Sequence, residues 1–481
     1  MQRDEYLHLD QAKHLAWGYI SVPPVTSWLS WIILKLGNGV FWVKFFPALF
    51  GALTLWVVWK TIDLFEGGWF ALILGSVGLL FSVLLRINIL FQPNSLDILC
   101  WTLVYYSFAC YIHFQNPKWL WMSTFMLAVG FMNKYNIVFL LMGFAPAILL
   151  TEHRKIFLQK DLYLALGFAL LLISPNLVWQ YQNHFPVIYH MKELAETQLV
   201  NVNWVDFLKE QLLFFFGSIP VLIFAFVGFF RFAPLRPYRV FAPAYLITIL
   251  IFTWFKAKGY YAIGLYPILL SFGSVYAENL LKEGWLLFMK PVLILLPIGL
   301  FLLVLNSAFP VIGPEEIVAK STLSKSLKLH RWEDGKDHAL PQDFADMLGW
   351  RELAEEVDSV FQKLDKNHTL VLCDNYGEAG AINYYSKSKG MAAVSLNADY
   401  INWFPLQEME IRHVILVQEK SDTDTLRTRE RALFQSVIKT GQIKNPYARE
   451  FGTKIYLLKN AKTSINQILE KEIDKKKKAD Y

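Results

Sequence analysis

The sequence predicts a polytopic α-helical membrane protein of about ten transmembrane helices, followed by a soluble C-terminal α/β domain. Three observations predict it. Of 481 residues, 55% are hydrophobic and only 18% are charged, whereas soluble domains usually carry about 25% charged residues. Apolar blocks succeed one another from Phe41 to Phe309. After Pro310 the composition becomes that of ordinary soluble sequence, with charges in every turn. The chain therefore divides into residues 1–40, 41–309 and 310–481. A net charge of +6 is small for this length and argues against a nucleic-acid partner. Three cysteines, Cys100, Cys110 and Cys373, form no disulfide framework and no metal-ligand spacing, so they read as buried small hydrophobes.

Membrane helices need roughly 17–25 apolar residues. Segments 41–59, 69–85, 96–114, 119–132, 137–150, 162–179, 211–230, 240–255, 260–277 and 291–309 fit, several of them short. Residues 119–150 also fit one hairpin turning at Asn133-Lys134-Tyr135. Short cytoplasmic loops are enriched in Lys and Arg. One alternating set holds Lys60, Lys118, Arg154, Lys155, Lys160, Arg231, Arg236, Arg239, Lys282 and Lys290; the other holds Arg86, Lys134, Lys192, Lys209, Lys256 and Lys258. Placing the first set inside puts both residues 1–40 and residues 310–481 outside. No apolar span precedes Met1-Gln2-Arg3, so an outside N-terminal segment implies either a gene truncated by one helix, the favoured reading, or a copy that has lost that helix.

The residues suited to chemistry fall at the outer face. Asp4-Glu5-Tyr6 opens a helical segment that Val22-Pro23-Pro24 ends, and residues 28–36 read as a helix lying in the headgroups. Adjacent carboxylates at a membrane surface carry a desolvation cost that marks a site, unless they simply serve a helix N-terminus. Asp97 starts an apolar helix on the same side. Lys134 sits in a short turn, and Lys256-Ala-Lys258-Gly-Tyr260-Tyr261 lies in a later loop. Singly, each cation reads as a snorkelling anchor. Together they form a carboxylate cluster and a cation cluster at one face. That arrangement suits a lipid-linked phosphate, with cations neutralising a phosphate leaving group and a carboxylate deprotonating an acceptor.

The ordered set Asp4-Glu5-Tyr6, Leu15-Ala-Trp-Gly18-Tyr19, Pro23-Pro24, Lys44, Leu96-Asp97, Asn133-Lys134-Tyr135 and Lys258-Gly-Tyr-Tyr261 resembles bacterial membrane glycosyltransferases of the C-type superfold. Within that superfold it is most similar to the protein-mannosyltransferase-like group, which includes the lipid A aminoarabinose transferases. Asp374-Asn375-Tyr376-Gly377-Glu378-Ala379-Gly380-Ala381 resembles a segment in the outer domain of some members. The resemblance implies transfer of a sugar from a polyprenyl-phosphate carrier at the extracytoplasmic face of the bacterial inner membrane. The acceptor would be a lipid, a glycan or a protein. By position it implies catalytic roles for Asp4, Glu5 and Asp97. It places the donor phosphate at Lys134, Lys258 and Tyr260; apart from the resemblance, Arg86 in the same set of outer loops is a weaker phosphate candidate. Where relatives often carry Arg early in a helix, this chain has Lys44, which lacks the bidentate fork. A divalent metal near the carboxylates stays open, since no ligand spacing requires one.

The outer domain reads as alternating strands and helices. Residues 369–373, 392–396, 413–418 and 454–458 are strand-like, and 348–364 and 426–440 are helical. The glycine loop at Asn375 lacks nucleotide-binding spacing. The Lys475–Lys478 run reads as a solvated helix end. A flippase for a lipid-linked glycan is the alternative function, and a non-catalytic anchor a third. A transporter would want charges in mid-helix rather than gathered at one face.

Overall fold

In the computed structural model, residues 1–424 and 426–480 are described; Tyr481, the end of the expected C-terminal domain, lies outside them. The chain opens with α1 (Arg3–Asp10), then α2 (Val25–Lys35). The apolar region follows as α3 (Val40–Leu64), α4 (Trp69–Leu80), α5 (Val83–Ile87), α6 (Asn94–Phe114), α7 (Lys118–Asn133), α8 (Ile137–Leu149) and α9 (Lys160–Gln182). Then come α10 (Pro186–Thr197), α11 (Trp204–Phe214), α12 (Ile219–Arg231), α13 (Phe241–Trp254), α14 (Tyr266–Leu280) and α15 (Met289–Ala308).

Each of the ten expected apolar segments falls on helix, but length and composition support fewer crossings. Among the described residues five helices are long and apolar enough to span a membrane, or up to seven if two bent pairs each count as one span. The shortfall has a physical cause. Helices α4 and α13 have 12 and 14 residues, short of the ~20 needed at 1.5 Å per residue. Helices α6 and α14 form the buried centre of the bundle, whereas α3, α9 and α15 expose most of their apolar surface. This inverted pattern, apolar side chains outward around a helical core, is what lipid allows.

Helix α2 turns Thr26, Ser27 and Ser30 inward and leaves Trp31 and Ile32 exposed. An inward polar face and an outward apolar one suit a helix resting at the lipid boundary.

The C-terminal region starts with short helices α16 (Pro314–Ala319), α17 (Thr322–Ser326) and α18 (Gln342–Ala345) and the longer α19 (Trp350–Phe361). It continues β1 (Thr369–Cys373), α20 (Tyr376–Tyr385), β2 (Ala393–Ser395), β3 (His413–Gln418), α21 (Thr428–Leu433), β4 (Phe434–Gln442), β5 (Lys454–Ala461) and α22 (Ile465–Asp480). The five strands form one sheet in the order β2-β1-β3-β5-β4. Strands β1, β2 and β3 are parallel, while β5 runs antiparallel to β3 and to β4.

One expectation fails here. Residues 426–440 are not a single helix: α21 stops at Leu433 and the chain continues as an edge strand. Val437 and Ile438 are β-branched, and Val437 pairs with Leu458 while Ile438 pairs with Leu457. Cross-strand packing thus overrides a weak helical pattern.

One face of the sheet packs with α19 and α20 against Tyr6 and Leu7 of α1. The other face is closed by Ile465 and Leu469 of α22. The N-terminal helix is therefore held between the helical bundle and the C-terminal domain.

Candidate active site

Local sequence explains the placement of the acidic pair. Gln2 caps α1: its side chain accepts from the Asp4 amide, and Glu5 reaches back to the Gln2 amide at 2.7 Å. This reciprocal capping box fixes Asp4 in the first helical turn.

Glu5 is fully buried and its oxygens are committed. The Lys44 ammonium donates to Oε1 at 2.5 Å and to Oε2 at 2.8 Å, and the Phe91 amide donates to Oε1 at 2.7 Å. A single ammonium straddles both oxygens where a guanidinium fork would lie. Glu5 ties α1 to α3 and to the loop after α5.

Asp4 is different. Tyr376 on α20 donates its phenol proton to Oδ1 at 2.6 Å, and Gln92 Nε2 donates to Oδ2 at 3.1 Å. From Gln92 the hydrogen bonds run onward. Asn94 Nδ2 donates to Gln92 Oε1 at 3.0 Å, and Lys134 Nζ donates to Asn94 Oδ1 at 2.8 Å. One polar chain therefore joins the first carboxylate to the Lys134 cation.

Lys134 ends α7 and lies beneath two aromatic rings, 5.1 Å from the Tyr260 centroid and 4.5 Å from that of Tyr261. Burial pulls its ammonium down to about 8, partly offset by the Asp97 carboxylate and reinforced by the like charge of Lys258. Asp97 is buried below it, accepting from Trp101 Nε1 at 3.1 Å and from Asn136 Nδ2 at 3.0 Å. Asn136 also donates to the Tyr261 carbonyl at 3.0 Å, which pins the 259–265 turn to α6. Gly264 allows that turn to approach: a Cβ there would lie 2.6 Å from Trp101 Cγ.

The remaining cations meet the C-terminal region. Lys258 Nζ lies 2.5 Å from Glu333 Oε1 and 2.6 Å from Gln198 Oε1. Burial alone would lower its ammonium, but Glu333 reverses the effect and holds it above the ordinary lysine value. Glu333 is correspondingly held low, since Lys258 outweighs the burial that would raise it.

Arg86, on α5, is 8% exposed and faces Asp343 across 3.8 Å, with its guanidinium 5.3 Å from the Phe344 ring. Neither of its terminal nitrogens has a hydrogen-bond partner among the described residues. A buried guanidinium with unsatisfied donors is costly unless an acceptor arrives.

The structure thus gathers Asp4, Lys134, Lys258, Tyr260 and Arg86 at one end of the bundle, with Asp97 beneath. Glu5 stands behind, in the scaffold. Among the described residues no three His, Cys, Asp or Glu side chains converge as metal ligands. Sequence reasoning did not single out Gln92, Glu333, Asp343 or Tyr376. Tyr376 stood inside a quoted motif without a role, Gln92 is an uncharged residue in a short loop, and Glu333 and Asp343 sit in polar sequence with no spacing to mark them.

Residues 21–179 match the family model described as dolichyl-phosphate-mannose-protein mannosyltransferase. The chain resembles the protein-mannosyltransferase-like glycosyltransferases. Over 232 residues it is 25% identical to the lipid A galacturonosyltransferase RgtD of Rhizobium johnstonii, covering 45% of this chain and 47% of that protein. The chain matches about half the length of that relative. Its fold is that of ArnT from Cupriavidus metallidurans: the apo crystal structure aligns with a TM-score of 0.63 at 13% identity, over 95% of this chain and 93% of that one. The undecaprenyl phosphate-bound ArnT structure aligns with a TM-score of 0.59 at 12% identity, over 95% and 92% of the two chains. The family resemblance read from the motifs therefore stands, and so does a membrane-embedded helical fold.

Proposed function

We propose that this chain transfers a sugar from a polyprenyl-phosphate carrier to an acceptor at the extracytoplasmic face of the bacterial inner membrane. The observation that carries the reading is the hydrogen-bonded chain from Asp4 to Lys134, which sets a candidate base and a phosphate cation in one connected site. Support comes from ArnT, whose structure has been solved with undecaprenyl phosphate, and from RgtD, named for galacturonosyl transfer to lipid A.

In this reading Lys134, Lys258 and Arg86 receive the donor phosphate beside Tyr260. Asp4 takes the proton of the acceptor hydroxyl or amine as that atom bonds to the anomeric carbon. The bond from that carbon to the phosphate oxygen breaks, and the cations hold the charge the phosphate gains. Asp97 keeps Lys134 oriented and charged. Glu5, paired with Lys44, holds α1 so that Asp4 faces the cations. The C-terminal domain lies outside, over the site.

The test is direct. Purified protein in nanodiscs, given a polyprenyl-phosphate sugar and membrane-lipid acceptors, should release polyprenyl phosphate in step with acceptor glycosylation. Donor left intact across a panel of sugars, or moved across a bilayer without cleavage, would contradict the reading.

A further inference from the structure

The run from Asn375 to Ala381 belongs to the C-terminal domain, yet it packs on the helix that carries the proposed base. We propose that Tyr376 is a positioning residue for Asp4, so that the C-terminal domain completes the active site; this rests on the glycosyl-transfer reading above.

Asn375 caps α20, its Oδ1 accepting from the Gly377 amide at 2.8 Å and the Glu378 amide at 3.0 Å. Glu378 reaches back to the amides of Asp374 and Asn375 at 3.1 and 3.4 Å. This capping box sets where the helix begins, and Tyr376 is its first residue. The phenol then falls 2.6 Å from Asp4 Oδ1.

The ring is held from its face by the Arg3 guanidinium, 4.3 Å from its centroid. Glycine is needed beside it: a Cβ at Gly377 would lie 2.5 Å from Arg3 Cγ. Away from Asp4, the same interface is registered independently. Asn383 Nδ2 and the Tyr400 hydroxyl each donate to Asp10 Oδ2 at 2.7 Å.

The chemistry follows from the two donors on Asp4. Gln92 occupies one oxygen and Tyr376 the other, so the carboxylate plane cannot rotate freely and each oxygen keeps a lone pair for an acceptor proton. Without the phenol the carboxylate swings, and proton transfer is lost more than donor binding.

The experiment compares Tyr376→Phe with Tyr400→Phe in the full chain, measuring kcat, donor KM and thermal unfolding. Losing a hydrogen bond to a charged group should lower kcat about tenfold or more, with donor KM unchanged. Tyr400→Phe removes an equivalent phenol from the same interface and should leave kcat near that of the wild type. Wild-type kcat in Tyr376→Phe would overturn the proposal. Equal losses of kcat in both variants would also overturn it, since that marks mere domain docking. Absence of transfer by the wild-type chain is a distinct result: it would overturn the glycosyl-transfer reading and, with it, any reaction for Tyr376 to serve.

Discussion

Lys134 shows how much of the proposed chemistry rests on single side chains. Its ammonium, drawn down to about 8 by burial, must be protonated to hold a phosphate. The kcat/KM for donor reports the free enzyme, so it should fall as pH rises through about 8. Asp97→Asn removes the charge that props Lys134 up, and the basic limb should then move lower; a pH–rate series on both proteins checks this. Glu333 offers a second check at this scale. Its carboxylate now occupies Lys258, where the donor phosphate is proposed to bind. Glu333→Gln should therefore tighten donor binding severalfold, read from donor KM or a direct binding titration. Asp4, Asp97 and Lys134 were legible in the sequence because ionisable groups beside apolar helices are rare. Glu333 and Asp343 were not, since an acidic residue in polar sequence has no such contrast.

Among the elements, α1 and α20 carry the most consequence. They touch so closely that a Cβ at Gly380 would lie 2.7 Å from Tyr6 Cβ and 2.8 Å from the Tyr400 hydroxyl. Gly380→Ala should cost about 1–3 kcal/mol by overpacking and lower transfer as α20 draws back from α1. Gly167→Ala, on α9 with nothing within 4 Å of the new Cβ, should leave thermal unfolding and transfer near normal. Long apolar helices and β-branched strands were legible because their periodicity reports burial directly. Residues 426–440 misled because an edge strand exposes one side and alternates weakly; its identity comes from β5, not from its own composition. The docking of α20 on α1 joins residues more than 370 apart, and no local pattern encodes that.

At the scale of the whole molecule, the C-terminal domain is fastened to the N-terminal segment by buried carboxylates as well as apolar contacts. Asp399 Oδ1 accepts the Ile20 amide at 2.8 Å and Oδ2 accepts Gln11 Nε2 at 2.9 Å. Burial nevertheless raises its carboxyl to about 6, above those hydrogen bonds' opposing pull. A carboxyl raised on folding stabilises fully below its unfolded value near 3.8, and that contribution is lost as pH rises through about 6. The lost stability is on the order of 2–3 kcal/mol. The difference in unfolding free energy between wild type and Asp399→Asn should therefore change across pH 4–7 and level off above it. The same assembly places Asp4 between two domains, with a cation network on one side and a phenol on the other. Asp4→Asn keeps shape and removes basicity, so the deciding measurement is single-turnover transfer from a polyprenyl-phosphate sugar by this variant, made beside donor binding and thermal unfolding. If Asp4 is the base, the rate falls by about 10²–10⁴-fold, with donor affinity and unfolding near those of the wild type. A near-normal rate in Asp4→Asn would contradict that assignment.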